Sequence, residues 1–298
     1  MTRGRRVTVD ADVSGRDVLR HVVGREVKVM ASYESFVDEG LTPEGVHQLR
    51  VSARRLRSEL RAMREVLSRE SWGRLDGDLR WLGATLGHLR DLQVLGELFD
   101  AQTYSDPSLR GVITTALERR RDRRHRDAMA VLESARYRKL VRRLDHRARH
   151  PGLGHVGDLP AVELFTPALH AAACRFLAEV GDPSWRRSDE DLHRVRIASK
   201  KCRYGFEVAT LFWGQPARDI VTSLEGIQTV LGHVNDRVVA VAFLNTLEVP
   251  GGVDLDLRRA LRAQIIDLRP QWTSYFATAR HDMTDLFSGR EKVEARRT

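Results

Sequence analysis

Apolar positions recur along this chain with the spacing of a helix. Val46, Leu49, Ala53, Leu56, Leu60, Met63 and Leu67 follow one another at intervals of three or four residues, and similar series run through nearly the whole sequence. The two-residue alternation of a half-buried strand, bounded by turns, is hard to find. An all-α fold is therefore expected. Helix starts are marked at Thr42-Pro43-Glu44, Asp106-Pro107, Thr166-Pro167 and Ser188-Asp189, each offering a capping oxygen, and three of them are followed by proline at the first helical position. A first helix is expected over about Ser14 to Asp38, with others beginning near Leu75, Pro216 and Asp254, for about eight long helices in all.

The helical pattern lapses between Arg147 and Pro160, where Pro151-Gly152, Gly154 and Gly157 fall. This break lies at the midpoint, and the two sides repeat one another. The run from Gly45 to Arg57 aligns with the run from Asp191 to Arg203 at an offset of 146 residues, sharing His-x-x-Arg-x-x-x-basic-basic-x-Arg. Leu86-Gly87-His88-Leu89-Arg90-Asp91 aligns with Leu231-Gly232-His233-Val234-Asn235-Asp236 at an offset of 145. Two blocks in register indicate an internal duplication. The expected architecture is one domain over residues 1–298, built of two four-helix bundles related by a pseudo-two-fold axis, about 10–146 and 161–290, with a linker at about 147–160.

Helical geometry gathers His47, Arg50, Arg54, Arg57 and Arg61 within an arc of roughly 80° on one helix, and His193, Arg196, Lys200 and Arg203 do the same in the second half. The apolar stripe of Leu49, Ala53, Leu56 and Leu60 is centred only about 110° away, so these cations flank the core face and should line a groove. Like charges crowded there destabilise the fold unless carboxylates pair with them or a polyanion occupies the site. Ion pairing with Asp91, Asp236 and Glu207 is the structural alternative. The repeated histidines His47, His88, His193 and His233 sit beside arginines that repel a cation, so phosphate hydrogen bonding or simple burial suits them better than a metal. Gly87 and Gly232 could serve close helix approach.

Charge extends the same picture. Lys and Arg total 50 against 41 Asp and Glu, for a net charge of +9, and five lysines leave 45 arginines, whose planar fork matches phosphate oxygens. Two cysteines, Cys174 and Cys202, argue against a disulfide framework. No apolar stretch is long enough for a membrane span, and the N-terminal residues show no apolar segment after their basic start, so a cytoplasmic protein without a secretory leader is expected.

At the two repeated blocks the sequence resembles the CHAD family, the conserved-histidine α-helical domain. The residues that carry the likeness are His47-x-x-Arg50-Val51-x-x-Arg54-Arg55-Leu56-Arg57 with Leu86-Gly87-x-x-Arg90-Asp91, and their second-half counterparts His193-x-x-Arg196-Ile197-x-x-Lys200-Lys201-x-Arg203-Tyr204 with Leu231-Gly232-x-x-Asn235-Asp236. The resemblance implies a basic channel between two helical halves that binds inorganic polyphosphate, and association with polyphosphate granules. Carried onto this chain, the contacts are His47, Arg50, Arg54, Arg55, Arg57, Arg61, Arg90, His193, Arg196, Lys200, Lys201 and Arg203, with Arg119, Arg120 and Arg123 as weaker candidates. Where Arg61 extends the first stripe the second half has Glu207.

CHAD domains are often fused to a triphosphate-cleaving tunnel domain whose metal site begins Glu-x-Glu-x-Lys. No such strand is present, since Gly24-Arg25-Glu26-Val27-Lys28 lacks the first Glu and lies in a helical pattern. No catalytic residue, metal site or cofactor is expected, so a binding module is the primary reading. Nucleic-acid binding is the alternative; few aromatic residues interleave the stripes to stack bases, Tyr204 being the nearest. A polyphosphate-processing enzyme is the third reading, with cations supplied but no metal ligands.

Overall fold

The computed structural model describes residues 13–34, 42–63, 67, 69–104, 106–183, 188–249, 252 and 254–294. The fold is all-helical. Ten α-helices succeed one another among these residues: α1 (Gly15–Glu34), α2 (Pro43–Ala62), α3 (Arg69–Asp100), α4 (Pro107–Leu132), α5 (Ala135–Arg149), α6 (Ala161–Val180), α7 (Asp189–Trp213), α8 (Gln215–Leu244), α9 (Leu255–Leu268) and α10 (Trp272–Glu294). The expected end of the first helix near Asp38 falls outside the described residues.

Three of the four expected capping sites hold. Thr42 accepts from Gly45 N at 3.0 Å, Asp106 accepts from Ser108 N at 2.8 Å, and Ser188 forms a reciprocal capping box with Asp191. Thr166-Pro167 is different: α6 already begins at Ala161 and Pro167 lies inside it. The apolar series Ala161, Phe165, Leu169, Ala173 and Phe176 is buried on both sides of that proline, and this burial outweighs one lost backbone bond.

Ten helices rather than about eight arise from two breaks with weak signals. Ser134 caps α5 by accepting from Tyr137 N at 3.1 Å, in a stretch without glycine or proline. A 3-10 turn over Arg269–Gln271, carrying Pro270, separates α9 from α10.

In the first half α2 packs on α1 and α3, while α5 packs on α1, α3 and α4. In the second half α7 packs on α6 and α8, and α8 also receives α9. The last helices differ: α5 lies chiefly on α1, whereas α10 lies chiefly on α8 and touches α6 lightly. Gly226 on α8 permits that contact, because a Cβ there would lie 2.3 Å from the Tyr275 ring.

Across the halves α2 packs directly on α7, and one apolar core runs without interruption from Val18, Leu49 and Leu86 through Phe206 and Leu224 to Trp272. A smaller cluster joins Leu95, Phe99 and Leu109 to Phe243, Leu257 and Leu261. The starts of α1 and α6 are tied by Gly15 N donating to Leu159 O at 3.0 Å and Ala161 N donating to Val13 O at 2.8 Å.

Leu49, Ala53 and Leu56 on α2 have no exposed surface. Each leucine contributes roughly 1.5–3 kcal/mol by leaving water, which fixes the roll of α2 and so decides where its arginines point. No described helix is long and apolar enough to cross a membrane.

Candidate anion-binding site

The seam between α2 and α7 brings the repeated blocks together. Burial of Val195, Ser199 and Cys202 sets the roll of α7 as burial of Leu49, Ala53 and Leu56 sets that of α2. Arg54 Nε donates to the Tyr204 hydroxyl across the seam at 3.0 Å, and Tyr204 is itself buried beneath the Arg203 guanidinium, 4.7 Å from its ring centre. Arg50, Arg54, Arg196 and Lys200 thus form one electrostatic cluster drawn from both halves.

The consequences show in the titration of its members. The Lys200 ammonium is pushed down to about 6, first by burial and then by Arg196, Arg54, Arg50 and Arg203. Arg50 and Arg196 are held below the usual arginine value by burial, with Asp91 and Asp236 respectively opposing the shift. His47 is lowered by burial and then by Arg90, and its buried Nδ1 has no hydrogen-bond partner.

Carboxylates neutralise some of the expected contacts and leave others alone. Arg50 pairs with Asp91 at 3.0 Å, Arg57 and Arg61 share Asp76 at 3.0 and 2.8 Å, and Arg90 pairs with Glu97 at 3.0 Å. Arg55 and Arg203 meet on Glu207 at 2.9 and 2.8 Å, and Arg203 also reaches Glu225 at 2.7 Å. No carboxylate among the described residues forms an ion pair with Arg54, Arg196 or Lys200, although Asp236 and Asp91 offset part of the Arg196 charge from farther away, and Arg196 Nε is buried without any hydrogen bond. The cluster is therefore a mixture of ion-paired arginines, arginines without an ion pair, and a lysine that gives up its proton near 6.

The repeated glycines face the neighbouring helix in the same way in both halves. A Cβ on Gly87 would stand 3.5 Å from Arg50 Nε, and one on Gly232 would stand 3.9 Å from Arg196 Nε. In both halves the glycine lies against the repeat's first arginine.

Other expected contacts are exposed. Lys201 is exposed on the opposite side of α7 from Ser199 and Cys202. Arg119, Arg120 and Arg123 are exposed on α4, where Arg120 donates to Thr246 Oγ1 at 3.0 Å and covers the Phe243 ring. His193 is exposed with Nδ1 3.0 Å from Asn235 Oδ1, and His88 and His233 are exposed. No group of three or more His, Cys, Asp or Glu side chains is placed to hold a metal among the described residues.

Sequence reasoning missed the buried pair beneath the seam. Arg25 on α1 bridges Glu26 and Glu59, both at 2.6 Å, and burial raises the Glu59 carboxyl to about 7 against the pull of Arg25. Its signal was present, because Glu59 interrupts the apolar series between Leu56 and Leu60.

A family model described as the CHAD domain matches residues 21–245, which include both repeated blocks. The chain belongs to the CHAD family. The crystal structure of the CHAD domain from the plant Ricinus communis is 27% identical to it, with a TM-score of 0.68 over 95% of this chain and 96% of that one. PptA from Streptomyces chartreusis shares the fold at 17% identity, with a TM-score of 0.64 over 91% of this chain and 99% of that one. An uncharacterized protein of Mycobacterium tuberculosis, found in strains H37Rv and CDC 1551, is 27% identical over 206 residues. That match takes in 66% of this CHAD chain and 39% of the mycobacterial protein, so the chain spans well under half the length of those curated relatives.

Proposed function

We propose that this CHAD domain binds inorganic polyphosphate along the α2–α7 seam. The observation that carries the reading is the meeting of Arg54, Arg196 and Lys200, one from the first repeat and two from the second, with no ion pair to any of them among the described residues and only the more distant Asp236 and Asp91 offsetting Arg196. A phosphate chain supplies the missing charge repeatedly along its length and accepts charge-assisted hydrogen bonds from each fork. Arg50 and His47 extend the contact surface, while Arg55, Arg57, Arg61, Arg90 and Arg203 contribute field and position through their acids.

The equivalent placement of Arg50 over Gly87 and Arg196 over Gly232 supports a pseudo-two-fold relation between two helical halves, with the seam as a basic channel between them. Tyr204 is buried with its hydroxyl committed to Arg54, so it offers no face for base stacking and polyphosphate is favoured over nucleic acid. The protein acts as a binder in this reading, without catalysis, in the cytoplasm and at polyphosphate granules.

Competition between long-chain polyphosphate and duplex DNA at equal phosphate and physiological salt tests the reading. Polyphosphate should displace DNA, because a duplex whose major groove alone is about 12 Å wide does not enter a seam between two packed helices. Equal affinity for both would contradict it.

A further inference from the structure

A second concentration of unneutralised cations lies on a different corner of the first half. α5 carries Arg136, Arg138, Lys139, Arg142, Arg143, Arg147 and Arg149 against Asp145 alone. Tyr137, Leu140 and Leu144 are buried in the core, which turns Lys139, Arg142, Arg143, His146 and Arg147 outward along successive turns. Together with Arg74 of α3 they line a cavity of about 800 Å³. From Lys139 to Arg147 the lining extends about 12 Å along the helix at 1.5 Å per residue.

Two of these cations are already held in place. Arg143 NH1 meets Asp78 Oδ2 at 2.9 Å, while Arg136 occupies the other oxygen at 2.9 Å and stacks on Trp81. The Arg147 guanidinium sits over the Trp72 ring at 5.9 Å. Asp78 is thereby saturated, and Asp145 is turned to Arg149. Arg74, Lys139, Arg142 and Arg147 have no carboxylate partner among the described residues.

A solvated basic ridge would be convex and interspersed with acids; this one is concave and of one sign, which focuses the field on its interior. The last helix of the second half carries Asp282 and Asp285 beside His281 and does not repeat the run of cations on α5. α5 and α2 each pack on both α1 and α3 and so take opposite corners of that layer, which separates the groove from the α2–α7 seam.

We propose that the α3–α5 groove is a second binding site for a run of linked phosphates. Several cations spaced along one helix face match several phosphates in line, and the indoles beneath Arg136 and Arg147 belong to the arginines, with Trp72 buried away from any base. The choice of inorganic phosphate chain as the ligand rests on the function proposed above. The existence of the site does not.

Calorimetric titration with tripolyphosphate, short enough to fill one site at a time, tests the proposal with two double variants. The whole chain should bind at two sites. Lys139→Ala with Arg142→Ala should reduce this to one, weakening the groove by at least about tenfold with the melting temperature unchanged, since both side chains are exposed and unpaired. Arg54→Ala with Lys200→Ala should remove the other site and leave the groove. Two sites surviving in the Lys139/Arg142 variant, or a wild-type stoichiometry of one that only the Arg54/Lys200 variant abolishes, overturns the groove. Binding lost in the groove variant but unchanged in the seam variant upholds the groove and overturns the seam reading instead. Displacement of groove-bound tripolyphosphate by duplex DNA at equal phosphate overturns the assignment of linked phosphates as its ligand.

Discussion

Arg54 of the first repeat donates from Nε to the hydroxyl of Tyr204 in the second, 3.0 Å away, across the seam where α2 meets α7. This bond holds a cation that no described carboxylate approaches, and it orients the remaining guanidinium donors. Tyr204→Phe should therefore lower stability by about 1 kcal/mol, the net worth of a part-buried hydrogen bond. Polyphosphate affinity should fall severalfold as Arg54 loses its anchor. A thermal melt and a titration on the same sample check both, and unchanged affinity would show that the bond does not position Arg54.

The seam separates cations that hold the fold from cations left for a ligand. Arg55→Ala with Arg203→Ala removes both partners of Glu207, whose side chain is 11% exposed, and should cost about 2–3 kcal/mol, less than the 3–5 typical of fully buried pairs. Arg54→Ala with Lys200→Ala relieves crowding but also breaks the Arg54–Tyr204 bond, so it should cost no more than about 1 kcal/mol, clearly less than the Arg55/Arg203 pair. The opposite ordering in differential scanning calorimetry would reassign the roles.

The helical class and three caps are legible because each has a local signal: the apolar period and a side-chain oxygen before a helix. Thr166-Pro167 misled because the burial of Phe165 and Leu169 is tertiary and overrides a local breaker. The stripe from His47 to Arg61 was visible, but its partition was not. Arg57 and Arg61 turn to Asp76 on α3 while Arg54 turns to α7, a division set by which neighbour each turn of α2 faces. The α5 groove escaped notice because its cations become a concave surface only once α3 supplies Arg74.

Lys200 makes stability depend on pH in a defined window. Unfolded, it keeps its proton up to its ordinary value of 10.5; folded, it releases it near 6. Between those values the unfolded chain binds more protons, so this residue's contribution rises with pH, is lost as pH falls towards 6 and is fully present above 10.5. Urea titrations of the wild type and Lys200→Met should diverge progressively as pH falls from 9 to 6, with the variant the more stable. Parallel curves would remove Lys200 from the buried cluster.

Because a bound polyanion favours charged Lys200, binding near pH 7.5 should take up a proton. Calorimetry in two buffers of different ionisation enthalpy reads this uptake directly. Lys200→Arg, charged at every working pH, should abolish it; equal uptake in the variant would place the proton elsewhere.

With magnesium or manganese present the protein should not release phosphate from polyphosphate, since catalysis of that reaction calls for metal-holding carboxylates and the seam's acids are engaged by arginines. Turnover that copurifies with the protein and disappears in Arg54→Ala with Lys200→Ala would contradict a purely binding role.

The most direct measurement is the affinity of long-chain polyphosphate for the wild type and for Arg54→Ala with Lys200→Ala, at one salt concentration and with folding verified by melting. Each charge-assisted hydrogen bond lost corresponds to about 1.5–3 kcal/mol before screening, so the double variant should bind at least about tenfold more weakly while remaining folded, with a melting temperature lowered no further than by Tyr204→Phe. Wild-type affinity in that variant would contradict the seam as the polyphosphate site.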